Sequence, residues 1–252
     1  MIVKFLLTLA TFFISSSAFA QRGKFFTTDD QLSSSFVTQV YLDKDGFIWT
    51  TTRNGINRYD GYQFRVFKKE NEHDSSLASN YVNSMMQDRN GLFYFGMYGS
   101  LQTWDGSGFH DVTMYNKNGS TGNCYPNCFL ERANGDVLVG TSGLGVMKFK
   151  DPKTAYQEKG PLAAIHTVNS MIEDRTGLLW IATEHMGLLS YNGKAIKRYV
   201  TDYPNVIFSC LCEGKDGIIY AGSTNGGVFR MQGDSFVHID ETGLKAVSAL
   251  YC

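Results

Sequence analysis

Five glycines, Gly46, Gly91, Gly135, Gly177 and Gly217, stand at spacings of 45, 44, 42 and 40 residues, each inside one recurring phrase. The phrases "DKDGFIW", "DRNGLFY", "RANGDVL", "DRTGLLW" and "GKDGIIY" share a polar turn closed by Gly and followed by an apolar run. Self-similarity at this period constrains the fold more than any other feature of the chain, because it means one supersecondary unit copied in series. Such a unit cannot dry its own apolar sides and must bury them on the next copy.

Each unit reads as four strands. Nine, six and five residues before the glycine the positions are apolar (Val37, Val40, Tyr41; Val82, Met85, Met86; Val168, Met171, Ile172; Phe208, Leu211, Cys212), which gives a strand ahead of the turn. The run after the glycine, such as Phe47-Ile48-Trp49 or Leu178-Leu179-Trp180-Ile181, suits a strand buried on both faces. Then come "GINRYDG", "SLQTWDG", "GLLSYNG" and "GVFRMQG", whose Asp-Gly and Asn-Gly steps are hairpin turns into a fourth strand such as "YQFRVF" or "SFVHI". Aromatic residues at 14% and 26 glycines against 4 prolines agree with many short strands and tight turns. The expectation is an all-β β-propeller of four-stranded antiparallel blades, arrayed about an axis. Five complete blades fall at about 30–70, 78–114, 122–160, 163–201 and 204–241. In "LKAVSALYC" (244–252), Val247 takes the place of Val37, which begins the first strand of a sixth. The chain therefore reads as an N-terminal fragment, part of a seven-bladed propeller; the alternative is a five-bladed ring whose last segment completes blade one.

Residues 1–20 differ from the rest, with Lys4 as the single charge, an apolar run from Phe5 to Ile14 and an Ala18-Phe19-Ala20 ending. This is the pattern of a signal peptide, with a mature propeller domain at 21–252. Export would bring Cys124, Cys128, Cys210, Cys212 and Cys252 into an oxidising compartment. Cys210 and Cys212 share a strand face at a spacing awkward for a mutual disulfide, and core packing is the favoured reading of the cysteines. A metal site from the 124/128 and 210/212 pairs lacks zinc-ligand spacing, and no metal or cofactor is expected. A formal net charge of −1 without a basic run argues against a nucleic-acid partner.

Propeller geometry places the turns at Gly46, Gly91, Gly135, Gly177 and Gly217 on one rim. The loops between second and third strands lie on the other, at Arg53-Asn54, Tyr98-Gly99, Ser142-Gly143, Glu184-His185 and Thr224-Asn225. Variable loops on a rigid scaffold are where binding residues gather, so Arg53, Asn54, Tyr98, His185 and Asn225 are the candidate ligand-binding set. No catalytic residue is assigned: His185 lacks a recurring second His or carboxylate pair to share proton transfer. Asp43-Lys44-Asp45-Gly46 lacks the further acidic ligands of a calcium loop, and Asp before Gly suits a tight turn.

The stretch "FTTDDQLSSSFVTQVYLDKDGFIWTTTRNGINRYDGYQFRVF" (26–67) closely resembles the opening repeat of two-component regulator propellers, through an iterated D-x-x-G-x-[IL]-W-x-x-T core. Blade three departs from that pattern, with Arg132 for Asp and Leu138 for Trp. The resemblance implies the periplasmic sensor region of a hybrid histidine kinase anchored in the inner membrane. It implies a small-molecule or oligosaccharide ligand, dimerisation when full-length, and further propeller, membrane and kinase domains as covalent partners. Kinase motifs are absent from these 252 residues, so the chain itself is expected to be non-enzymatic. A free-standing secreted interaction propeller and a propeller lyase are the alternatives.

Overall fold

The computed structural model describes residues 25–70, 76–201, 203, 205–239, 243 and 245–251; the stretch 1–20 expected to be a signal peptide lies outside the described residues. Blade one consists of β1 (Val37–Leu42), β2 (Ile48–Thr52), β3 (Gly55–Tyr59) and β4 (Phe64–Phe67), hydrogen-bonded in that order. Blade two contains β5 (Val82–Gln87), β6 (Phe93–Met97), β7 (Ser100–Trp104) and β8 (Phe109–Asp111). A short strand β9 (Thr113–Tyr115) follows, and then blade three with β10 (Tyr125–Glu131), β11 (Val137–Ser142), β12 (Gly145–Asp151) and β13 (Thr154–Gln157). Blade four has β14 (Val168–Glu173), β15 (Leu179–Thr183), β16 (Leu188–Tyr191) and β17 (Ile196–Thr201). Blade five has β18 (Phe208–Glu213), β19 (Ile219–Ser223), β20 (Val228–Gln232) and β21 (Ser235–Ile239). The first strands β1, β5, β10, β14 and β18 lie side by side in series, so the sheets radiate from a common centre as propeller blades.

Alternation along the second strand explains the double-sided apolar run. Two residues after the turn glycine, Phe93, Val137, Leu179 and Ile219 face back to the preceding blade and are buried. Three residues after it, Trp49, Tyr94, Leu138 and Trp180 face forward and are equally dry. Each gap between blades thus has its own core: Trp49 with Phe93 and Phe95, Tyr94 with Val137 and Phe149, Leu138 with Val168 and Ile181, Trp180 with Phe208 and Phe229. Trp49 and Trp180 are core residues and Trp104 packs against the first of these clusters, as read from the sequence.

Blades are stitched near the axis by one side chain per unit. Eight residues before each glycine, Thr38, Asn83, Asn127, Asn169 and Ser209 donate to the backbone carbonyl of the next unit's Val82, Pro126, Val168, Phe208 and Val247. Val247 therefore sits where the first strand of a following unit begins, in the register that aligned it with Val37. Residues 245–251 lie against blade five, with Val247 packed on Cys210 and Val228, while blade one has four strands of its own. The closure of blade one by the last segment is not what the described residues form.

Two features depart from the plain four-stranded scheme. Strand β9 pairs in parallel with β13 (Ala155↔Met114), so blade three carries a fifth strand taken from the connection after blade two. Strands β17 and β21 also pair in parallel through Val200↔Ser235 and Thr201↔Phe236, joining blades four and five at their outer edges. The cysteines divide as well: Cys124, Cys128 and Cys210 are free, whereas Cys212 is disulfide-bonded, which corrects the core reading for that one. Burial pushes the Cys124 and Cys128 thiols up to about 12, and the two sit in different inter-blade cores, so they do not form a common metal site.

Candidate functional site

The two rims differ in chemistry. On the turn rim the aspartate three residues before the glycine is a structural clamp: Asp43 accepts from the Asp45 and Phe47 amides at 3.0 and 2.8 Å and from Trp49 Nε1 at 2.7 Å. Asp88 and Asp174 repeat the geometry with Tyr94 Oη at 3.1 Å and Trp180 Nε1 at 2.7 Å. Calcium coordination is not needed to account for these carboxylates. Arginines on this rim tie successive blades together, Arg89 to Glu131, Arg132 to Glu173 and Arg175 to Glu213. The arginines of this rim are thus committed to blade-to-blade ties.

On the opposite rim the predicted residues separate into two groups. Asn54 and Asn225 are loop staples: Asn54 Nδ2 donates to the Ser33 carbonyl at 3.0 Å, and Asn225 accepts from the Ile207 amide at 3.1 Å and donates to the Asn205 carbonyl at 2.9 Å. Arg53 and Tyr98, by contrast, belong to one continuous strip. The Arg53 guanidinium lies 3.6 Å over the Phe36 ring and 5.5 Å from Tyr81; Tyr81 meets Tyr98 at 6.2 Å, and Tyr98 meets Tyr125 at 4.6 Å. A concavity of about 360 Å³ is lined there by Tyr81, Asn83, Met97, Tyr98, Tyr125 and Asn127, among others. Tyr98 is 62% exposed and Tyr125 43%, so the rings present open faces. A hydrogen bond with the Tyr98 phenol raises the Tyr125 hydroxyl above the ordinary phenol range.

Phe36, Tyr81 and Tyr125 were missed from the sequence, yet they carry a signal: each stands ten residues before its turn glycine. Blades four and five have Thr167 and Ile207 at that place, which is why the strip ends after blade three. Backbone pairing fixes the position, since the Tyr98 amide donates to the Tyr81 carbonyl at 3.1 Å and the Arg53 amide to the Phe36 carbonyl at 3.3 Å.

His185 stands apart from the strip. It borders a cleft of about 600 Å³ between blades four and five, with Glu184, Arg198, Tyr199 and Phe208 also on its wall. Its ring is largely exposed, 3.7 Å from the Glu184 carboxylate. Among the described residues no group of three His, Cys, Asp or Glu side chains is placed to hold a metal ion, and no helix is long and apolar enough to cross a membrane.

Comparison with known proteins follows the repeat. Residues 31–54, 76–99 and 164–185 match the family described as Two component regulator propeller. A histidine kinase from Formosa agariphila is 36% identical over 70 residues, which is 26% of this chain and 5% of that protein. Among solved structures, the extracellular domain of a hybrid two component system from B. thetaiotaomicron superposes with a TM-score of 0.73 at 20% identity, over 88% of this chain and 32% of the other. Virginiamycin B lyase from Staphylococcus aureus superposes with a TM-score of 0.63 at 14% identity, over 79% of this chain and 68% of the lyase. At these identities the structural likenesses establish the fold. The chain spans only a small part of the curated relative it matches.

Proposed function

From a chain that carries two component regulator propeller repeats, we propose a ligand-sensing role for the described propeller, as the exported region of a sensor histidine kinase that reports across the inner membrane to control transcription. The ligand is a saccharide, held by stacking on the aromatic strip of blades one to three. The observation that carries this reading is the run of rings Tyr81, Tyr98 and Tyr125, the last two exposed, on the rim whose loops vary, opposite a rim whose arginines are consumed in blade-to-blade ties. Flat, rigid rings bury much area at little conformational cost, and a sugar's C–H face meets them without a charge having to be desolvated. Signal transmission would belong to the remainder of the full-length protein, with small displacements of the propeller passed on across a dimer.

The test is calorimetric titration of the chain with a panel of neutral and acidic oligosaccharides. Tyr98→Ala should weaken whichever saccharide binds by roughly tenfold or more, as expected for truncating an aromatic anchor. His185→Ala should leave that affinity unchanged. Turnover of a saccharide that depends on His185 would instead support a lyase and overturn the sensing role.

A further inference from the structure

We propose that Arg53 makes this rim selective for acidic saccharides, an inference that rests on the saccharide-binding role above. Arg89, Arg132 and Arg175 each pair with a glutamate of the next blade, whereas Arg53, like Arg58 and Arg65, lies over aromatic rings instead. Arg53 has no ion-pair partner and no side-chain hydrogen bond among the described residues. Its guanidinium nevertheless has ring neighbours, over Phe36 at 3.6 Å and beside Tyr81 at 5.5 Å, with its backbone amide bonded to the Phe36 carbonyl. A cation flanked by two rings loses little freedom on binding, and its unfilled fork of N–H donors matches the two oxygens of a carboxylate or sulfate.

The surroundings strengthen the case. The concavity beside it, which shares Tyr81 with the arginine, is lined by Tyr81, Asn83, Met97, Tyr98, Tyr125 and Asn127 with Ser142, none of them acidic. The two asparagine amides are spent on backbone carbonyls, Asn83 on Pro126 and Asn127 on Val168, and so do not compete as the polar contact. Among the described residues, Arg53 is therefore the one formal charge along the strip, at its end. Successive steps of 5.5, 6.2 and 4.6 Å from guanidinium to Tyr81, Tyr98 and Tyr125 are short enough for consecutive rings of one oligosaccharide to stack while a terminal acidic group reaches the arginine.

The experiment is a glycan array carrying length-matched neutral, uronate-bearing and sulfated oligosaccharides, probed with the wild-type chain and with Arg53→Gln, Arg53→Lys and Tyr98→Ala. The wild-type chain should retain acidic members preferentially, with binding that weakens as sodium chloride is raised. Arg53→Gln should cost acidic binding roughly tenfold and neutral binding far less, and Arg53→Lys should fall between. The uronate and sulfate sets tell which anion the fork prefers. Equal retention of neutral and acidic members, or acidic binding indifferent to Arg53→Gln, overturns the inference while a loss at Tyr98→Ala keeps the saccharide reading intact. Absence of any retained saccharide overturns both.

Discussion

The turn aspartate shows how one side chain can serve two strands. Asp174 accepts from the Thr176 hydroxyl at 2.6 Å, from the Thr176 and Leu178 amides, and from Trp180 Nε1, so the turn and the buried indole are locked together. Blade five reaches the same end with the carboxylate moved along by two residues: Asp216 accepts from the Ile218 amide and from Tyr220 Oη at 3.3 Å. A Cβ at Gly214 would lie 2.4 Å from that carboxylate, so a larger residue there would push the Asp216 side chain out of this position. Burial alone would raise the Asp174 carboxyl, but donation from Thr176, Trp180 and Leu178 outweighs it and holds the group below the usual carboxylate range. The folded state thus keeps Asp174 ionised where the unfolded chain has taken up a proton. Its contribution is complete above the ordinary aspartate range and disappears as pH falls through the lowered value. Asp174→Ala should cost about 2–3 kcal/mol in urea unfolding at pH 7, and the gap from wild type should narrow below about pH 4. A gap that stays constant into strong acid would show that the clamp does not act through its charge.

Among elements, the second strand of each unit decides how closely the next blade's first strand approaches. Five residues after the turn glycine stand Thr51, Gly96, Gly140, Ala182 and Gly222, all small. The reason is contact: a Cβ at Gly140 would meet Val168 Cγ1 at 2.5 Å and Cys128 Sγ at 2.6 Å, and a Cβ at Gly222 would meet Val247 Cγ1 at 2.7 Å. Gly140→Ala should therefore overpack the gap between β11 and β14, costing about 1–3 kcal/mol and lowering Tm by roughly 2–4 °C for each of those kilocalories. Gly99→Ala, where the added methyl meets nothing but φ is +74°, should cost less and through backbone strain alone. Equal melting shifts for the two variants would contradict the inter-blade contact. At the outer edge, β9 covers the backbone of β13, and Tyr115 stacks on Tyr156 at 5.0 Å to hold it there. An outer strand that would otherwise offer unpaired amides is closed by its own connection.

Across the whole molecule, stability is a sum of inter-blade cores, and the outward face of blade one is the exception. Ile48, at the place where Phe93, Val137, Leu179 and Ile219 are buried, is exposed, and so are Val40 (64%) and Leu42 (67%) on the same side. The segment before β1 covers the outer part of this face: Leu32 is buried, the Ser33 amide bonds Asn57 Oδ1 at 2.8 Å, and Phe26 packs edge-on against Tyr59 and Phe64. Leu42 also stands where the later units carry Gln87, Glu131, Glu173 and Glu213, partners of a preceding blade's turn. An uncovered apolar sheet face of this kind drives association. Sedimentation of the chain should show concentration-dependent oligomers, and Val40→Lys with Leu42→Glu should shift the population towards monomer. A wild-type chain that sediments as a monomer at every concentration would refute the exposed face as an association surface.

The period of the turn glycines, the two-sided apolar run after them and the Asp at the turns of blades one, two and four were all legible in the sequence, because each is a local demand of strand pleat and turn geometry that recurs from unit to unit. The register of Val247 with Val37 was legible for the same reason. The sequence also placed Arg53 and Tyr98 on the variable rim. It grouped them with His185 and Asn225 by residue type, and that grouping did not survive the geometry: one borders a separate cleft and the other staples its own loop. Phe36, Tyr81 and Tyr125 became neighbours of Arg53 and Tyr98 only through the stacking of three blades. So did the parallel pairings of β9 with β13 and of β17 with β21. A repeat records what each unit needs from the unit beside it, whereas the strip arises from side chains some forty residues apart whose rings meet only once the blade-to-blade distance and rotation are set by packing.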